Sequence, residues 1–464
     1  MRSLCSTGLK PKNFTRRYFP HVWLWEEFPS RADFGGKDIG VDIVAKTHEG
    51  EYWTVQCKCY GEESTINKEA INSFIAASSK RFTAESGEGT VGFSHRLWIS
   101  TTDKGWTREA EHEIENQNPP FTRISLHELE NSPVDWQKLL ESVEGKGALK
   151  EPKSLLRHQK ATLQKAVDYY VTRGKTRGKL VMACGTGKTF TSLKIAEKLV
   201  ELDGNGRGLV LFMVPSIALL GQALNDWFAD STLPMKAVCV CSDPKSSRMT
   251  SRGAKNDDAD ESVSLVDLAL PATTNKAAIA KRLLAYQSHK GLVVVFSTYQ
   301  SVQSVMEAQR QVLLDTGGKY GVFDLVICDE AHRTTGAHLK DEDESEFTKI
   351  HYDKNVRAKR CLYMTATPRI YGDSAKSKAK EQDYVLCSMD DEDIYGEEFY
   401  RVPFSYAVRN NILTDYRVVV LAQSEDSIPA IIEEDITDPE QKGIDYNIAG
   451  RRLKRGGKDL AQVG

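Results

Sequence analysis

Residues 183–189 read ACGTGKT, after the apolar run KLVM and before the helix-period stretch TSLKIAEKLVEL. Strand, glycine-rich loop and helix is the context a phosphate-binding loop needs. Gly185 and Gly187 let the backbone curl, so that the N–H groups of Gly185, Thr186 and Gly187 can face a phosphate, and the helix N-terminus adds a favourable dipole. Lys188 would bring positive charge to the β- and γ-phosphates, and the Thr189 hydroxyl could ligate Mg²⁺. The full pattern G-x-x-x-x-G-K-[ST] would place glycine at 182, where this chain has Met182. A second motif, ICDEAH (327–332), closes another strand-like run. At a strand's carboxyl end Asp329 would hold Mg²⁺, Glu330 would orient the attacking water, and His332 would link the site to neighbouring loops. A charged turn explains either motif alone; the two together, both at strand ends, favour nucleotide chemistry.

A third constellation lies near the N-terminus. KDIGVDIVAK (37–46) and EYWTVQCKCY (51–60) read as two strands joined by the turn THEG. Strand alternation puts Asp42 and Val44 on one face, and Gln56 and Lys58 together on one face of the second strand. A carboxylate, an amide and an amine could thus converge across one hairpin. Asp42 would ligate Mg²⁺, Gln56 would lend a carbonyl oxygen, and Lys58 would orient the nucleophile or stabilise developing charge in phosphodiester hydrolysis. As a bare spacing, D-x13-Q-x-K arises often by chance, and a half-exposed hairpin is the bland alternative.

These residues need elements to hold them. After a polar linker at 142–152 (SVEGKGALKEP), short β-branched runs alternate with helix-period segments: 179–184, 208–214, 236–241, 291–297, 323–328 and 360–366. Such alternation implies a doubly wound α/β domain with a parallel sheet. A further strand is expected at 414–422. The chain has 464 residues and 40% apolar content, enough for more than one core. The net charge of −3 excludes a globally basic nucleic-acid binder but not a local basic groove. No apolar run approaches the length of about 18 residues that a membrane helix needs. The first residues, MRSLCSTGLKPKNF, do not read as a signal peptide. The nine cysteines form no C-x-x-C pair and read as buried thiols in a reducing, cytoplasmic setting. The acidic patches at 256–261, 341–346 and 390–393 and the basic tail at 449–457 read as solvated surface.

The motif order resembles superfamily 2 helicases and translocases over residues 153–370. That resemblance implies ATP as the nucleotide and assigns adenine reading to LLRHQ (155–159), through Gln159. It assigns DNA-backbone contacts to VPSIALLGQ (214–222) and FSTYQS (296–301), and ATP–DNA coupling to MTATP (364–368). The N-terminal block resembles the PD-(D/E)xK nuclease fold in its Mrr-like version, with Q-x-K in place of E-x-K and Gly40-Val41-Asp42 as its G-x-D segment. Glu26 or Glu27, on a preceding helix, would be a further acidic ligand, and Asp38 a competing one. A helix at 66–82 and a strand at 96–102 suit that fold.

Several whole segments, among them VWLWEEFPSRADFGGKDIGVDIVA, ICDEAHRTTGA and SMDDEDIYGEEFYRVPFSYAV, resemble the front of single-chain Type ISP restriction–modification enzymes. The expected organisation is an Mrr-like nuclease domain (1–145), a RecA-like ATPase domain (146–400) and the start of a second RecA-like lobe (401–464). The resemblance implies double-stranded DNA as partner. It also implies a chain that stops before the second lobe's arginine motif and before the methyltransferase and target-recognition parts. A non-cleaving ATP- and DNA-binding remnant, or the motor subunit of another restriction type, are the competing readings.

Overall fold

The computed structural model describes residues 19–415 except 36–38, 48, 62, 86–88, 103, 116, 131, 133, 142–152, 204, 243–269, 340–344 and 382–383. It also describes two short strands near the C-terminus. Residues 1–413 form one compact unit and 414–464 another. The expected strand at 414–422, Asp38 and most of the basic tail lie outside the described residues.

Two α/β layers make up the first unit. The N-terminal sheet runs β1 (His21–Leu24), β2 (Ile43–Lys46), β3 (Tyr52–Lys58), β5 (Thr90–Ser100), with β4 (Arg81–Thr83) and β6 (Phe121–Ile124) sharing the far edge of β5. β3, β5 and β6 are parallel, whereas β1, β2 and β4 pair antiparallel to their neighbours. One face is covered by α1 (Lys68–Ser78) and α2 (Arg108–Ile114). Ile71, Phe74 and Ala77 recur at helical spacing and meet Val44, Trp98 and Phe121 in one apolar core. Burying side chains as large as Phe74 and Trp98 contributes roughly 2–3 kcal/mol each.

The hairpin strands are shorter than the sequence suggests. Gly40 has φ +81°, a left-handed turn that starts β2 only at Ile43 and leaves Asp42 just ahead of the ladder. The helix expected at 66–82 stops at Ser78, because Arg81 and Phe82 leave it to pair with β5. The expected strand at 96–102 begins earlier and ends at Ser100.

The second sheet has seven parallel strands in the order β15 (Glu397–Val402), β7 (Arg177–Met182), β13 (Cys361–Thr365), β11 (Leu325–Cys328), β8 (Arg207–Val214), β10 (Gly291–Thr298), β9 (Met235–Val240). All six expected runs are strands of this sheet. β8 and β10 are buried along almost their whole length, as continuous apolar runs should be when helices cover both faces. Those helices are α3 (Arg157–Val167), α4 (Lys188–Leu202) and α5 (Ile217–Asp230) on one side, and α6 (Lys276–Ala285) and α7 (Val302–Asp315) on the other. β15 adds an edge strand, followed by α8 (Phe404–Arg409). In the second unit, β16 (Tyr446–Ile448) pairs antiparallel with β17 (Arg451–Leu453).

Gly291 opens β10 at φ +115°, and a Cβ there would sit 2.1 Å from the Pro234 carbonyl oxygen. Gly174 also has positive φ, +62°, but open space around it. Gly291→Ala should therefore destabilise by more than about 2 kcal/mol, against about 1 kcal/mol for Gly174→Ala. Thermal unfolding followed by circular dichroism checks this, and equal losses for the two variants would contradict the packing argument.

Candidate phosphate-loop and nuclease sites

All strands of the second sheet run the same way, so their carboxyl ends form one edge where ligands of such sheets bind. The loop 183–187 leaves β7 there and enters α4. Gly185 (φ +78°) and Gly187 (φ +83°) both adopt the left-handed conformation that glycine permits. The loop is braced from below. Thr186 Oγ1 donates to the Ala183 carbonyl (2.6 Å), while His158 Nε2 (2.9 Å) and Gln159 Nε2 (3.2 Å) meet the Thr186 carbonyl. Trp227 Nε1 donates to the Thr189 carbonyl (3.1 Å) and ties α5 to the first turn of α4.

Lys188 points across the edge to β11. Its Nζ lies 3.4 Å from Glu330 Oε1. Glu330 has φ +46°, a left-handed conformation that costs a non-glycine residue about 1–2 kcal/mol. That turn sends its side chain toward Lys188, while its backbone N–H donates to Asp329 Oδ1 (3.0 Å). Asp329 is buried, and its carbonyl accepts the Tyr299 hydroxyl (2.8 Å). Burial first, then the Glu330 carboxylate beside it, push the Asp329 carboxyl up to about 6 against the pull of Lys188. A bound cation would reverse that shift. His332 Nδ1 lies 3.0 Å from Thr365 Oγ1 at the end of β13 and 3.4 Å from Glu330 Oε2. Burial lowers the His332 pKa against the pull of the Glu330 carboxylate.

Lys188, Asp329, Glu330 and His332 therefore come together with the loop, as the sequence suggests. Gln159 stands differently from its expected base-reading pose. Its Oε1 accepts the Leu156 N–H (2.9 Å) and its Nε2 braces the loop, so both amide ends are engaged in protein contacts. A Cβ on Gly187 would come within 2.4 Å of Gln159 Nε2. The role of His158 beneath the loop carried no sequence signal beyond its place in LLRHQ.

The N-terminal constellation gathers at the open end of the β2–β3 hairpin. Asp42 Oδ2 accepts from the Gln56 side-chain amide and from the Cys57 backbone N–H (2.7 Å). Gln56 is buried, and Lys58, two residues on, is half-buried on the same face. A Cβ on Gly40 would stand 3.1 Å from Ser73 Oγ on α1 and 3.5 Å from Gln56 Oε1, so this glycine lets the loop close over the amide. Glu26 and Glu27 lie in a 3₁₀ turn (Trp25–Glu27) rather than a longer helix, and both are exposed. Among the described residues no group of three or more His, Cys, Asp or Glu gathers as a metal cluster. The donors at Asp42 and Gln56 are all oxygen once the amide turns its carbonyl inward, which suits a hard divalent cation.

Residues 10–146 match a restriction endonuclease family, and residues 152–370 match the res subunit of Type III restriction enzymes. Among solved structures, the ATP-dependent Type ISP restriction–modification enzyme LlaBIII bound to DNA is 36% identical over 95% of this chain, with a TM-score of 0.70. A nuclease-deletion mutant of the Type ISP enzyme LlaGI, in complex with a DNA substrate mimic, is 38% identical. That match covers 57% of this chain and 18% of the LlaGI chain, with a TM-score of 0.43. The chain spans 26% of the length of LlaBIII. No curated protein is significantly similar to it.

Lys188→Ala should weaken ATP binding at the phosphate loop by about 100-fold or more, since it removes the cation at the β- and γ-phosphates. Calorimetric titration checks this, and an unchanged tight site would remove Lys188 from the phosphate contacts.

Proposed function

The chain joins a restriction-endonuclease domain of the Mrr type to a res-subunit helicase domain, as in Type ISP restriction–modification enzymes, and from this premise we propose that it is an ATP-driven duplex-DNA translocase fused to a Mg²⁺-dependent DNA endonuclease. The observation that supports the reading is that one compact unit holds both clusters of residues to which we assign phosphate chemistry. One is Lys188 with Asp329 and Glu330, and the other is Asp42 with Gln56 and Lys58. We assign residues 1–145 to the nuclease, 146–400 to the ATPase domain and 401–464 to the start of a second lobe.

At the motor site Gly185, Thr186 and Gly187 turn their N–H groups to the phosphates. Lys188 leaves Glu330 for the γ-phosphate, which frees the Glu330 carboxylate to hold the attacking water. Thr189 and Asp329 would hold Mg²⁺, which neutralises charge on the transferring group. His332 and Thr365 then couple the γ-phosphate to the segment at 364–368. Gln159 reads the base only if its amide exchanges the Leu156 or Thr186 contact for the ligand.

At the nuclease site Asp42 and Gln56 would hold a divalent metal, which lowers the pKa of bound water and polarises a phosphate. Lys58, on the same strand face, stabilises negative charge on the scissile phosphate. DNA contacts of the motor would be mostly to phosphates, so binding is salt-sensitive and sequence-independent. No helix among the described residues is long and apolar enough to cross a membrane, in keeping with a proposed cytoplasmic site of action.

Nicking of supercoiled plasmid with Mg²⁺, with and without ATP, tests the proposal. Asp42→Ala and Lys58→Ala should each lower cleavage at least 100-fold and leave ATP affinity unchanged. Undiminished nicking by both variants would place hydrolysis elsewhere, and no nicking by the parent chain would favour the ATP- and DNA-binding reading.

A further inference from the structure

The opposite edge of the motor sheet, where the strands begin, carries a cleft of ≈ 550 Å³. Loops ahead of β8, β10, β11 and β13 form it, on the side of the sheet away from the phosphate loop. Its charge is one-sided. Asp324 is spent within the wall: Oδ1 pairs with Lys359 (2.6 Å) and Oδ2 accepts the Leu209 N–H (2.8 Å). Arg207 and Lys319 also line the cleft, and among the described residues neither is paired with an acid. Arg207 makes one long bond to the Gln287 carbonyl (3.4 Å).

Two tyrosines complete the walls. Tyr320 lines the cleft, and its hydroxyl is buried with no hydrogen-bond partner among the described residues. Tyr286, at the C-terminal end of α6, also lines the cleft. The volume is in the range of small-molecule sites, and a concave shape suits a compact ligand better than an extended strand.

We infer that this cleft binds a nucleoside phosphate at a second site, with the phosphates on Arg207 and Lys319 and the base against Tyr286. One guanidinium and one ammonium without paired acids attract an anion, and the aromatic wall selects a ligand with a flat ring. Lys236 stands over the Tyr286 ring (5.5 Å from its centroid) and pairs with Glu49 (3.7 Å) in the turn between β2 and β3, so the cleft adjoins the seam between nuclease and motor.

Calorimetry with ADP, pyrophosphate and adenosine on the full chain, its Lys188→Ala variant and further changes on that background tests this inference. The parent chain should bind two ADP and Lys188→Ala one. Adding Arg207→Glu with Lys319→Glu should weaken the remaining site at least tenfold. Pyrophosphate should bind there more weakly than ADP, and adenosine should not bind. A single ADP on the parent, lost in Lys188→Ala, would overturn the second site and leave the phosphate loop intact. No ADP on the parent would overturn both. Adenosine binding as well as ADP, or a site indifferent to charge reversal, would overturn the anionic recognition. A duplex oligonucleotide that binds there where ADP does not would make the cleft a nucleic-acid contact instead.

Discussion

Parallel pairing in the seven-stranded sheet is the constraint on which the motor half depends. Parallel neighbours cannot be joined by tight hairpins, so each connection crosses a face, and helices end up on both sides. Every strand then points its carboxyl end to one edge. The phosphate loop after β7, the acidic turn after β11 and Thr365 at the end of β13 meet there because β7, β13 and β11 are consecutive neighbours. Lys188 reaches Glu330 for that reason, although no local sequence rule links them. The left-handed turn at Glu330 is the conformational cost of aiming a carboxylate along that edge.

The nuclease half reaches a comparable convergence with far less structure. Antiparallel register alone brings Asp42 opposite Gln56, since Ile43 pairs with Val55. Two further features shape the proposed site. Gly40 turns the chain so that Asp42 sits at the mouth of the ladder, and α1 closes over the amide through Ser73 and Phe74. Trp98, in register with Gln56 on β5, supplies the apolar floor. Low dielectric around the carboxylate would strengthen its hold on the proposed cation.

What the sequence revealed follows from what is local. Strand alternation announced that Gln56 and Lys58 share a face, and the glycine spacing in ACGTGKT announced the loop. Uninterrupted apolar runs announced buried parallel strands. The limits are equally physical. Gln159 looks like a base reader by its motif, yet its amide is engaged by Leu156 and Thr186, a pairing set by how α3 packs under the loop. The stop of α1 at Ser78 is decided by β5, which draws Arg81 and Phe82 into the sheet. β15 had no clear signal because EEFYRV is mixed in polarity; its place at the edge beside β7 tolerates that. The cleft at the amino edge is assembled from four separate loops and has no motif at all.

The seam between the two layers was invisible for the same reason, and its chemistry is unusual. Lys236 on β9 is buried, and burial lowers its pKa against the opposing charge of Glu49, which lies 3.7 Å away. The same ammonium stands over the Tyr286 ring, 5.5 Å from its centroid. On the nuclease side His95 is fully buried and pressed to a pKa of about 3, first by burial and then by Arg282 on α6 and by Arg96. A neutral imidazole there lets Arg282 approach without repulsion. Buried charges of this kind add little net stability, since desolvation consumes most of the attraction, but they penalise any shifted packing that strands one of them. The seam therefore favours one relative placement of nuclease and motor over others of similar apolar contact. On the proposed function, a translocating motor would carry the Asp42 site with it as a fixed body.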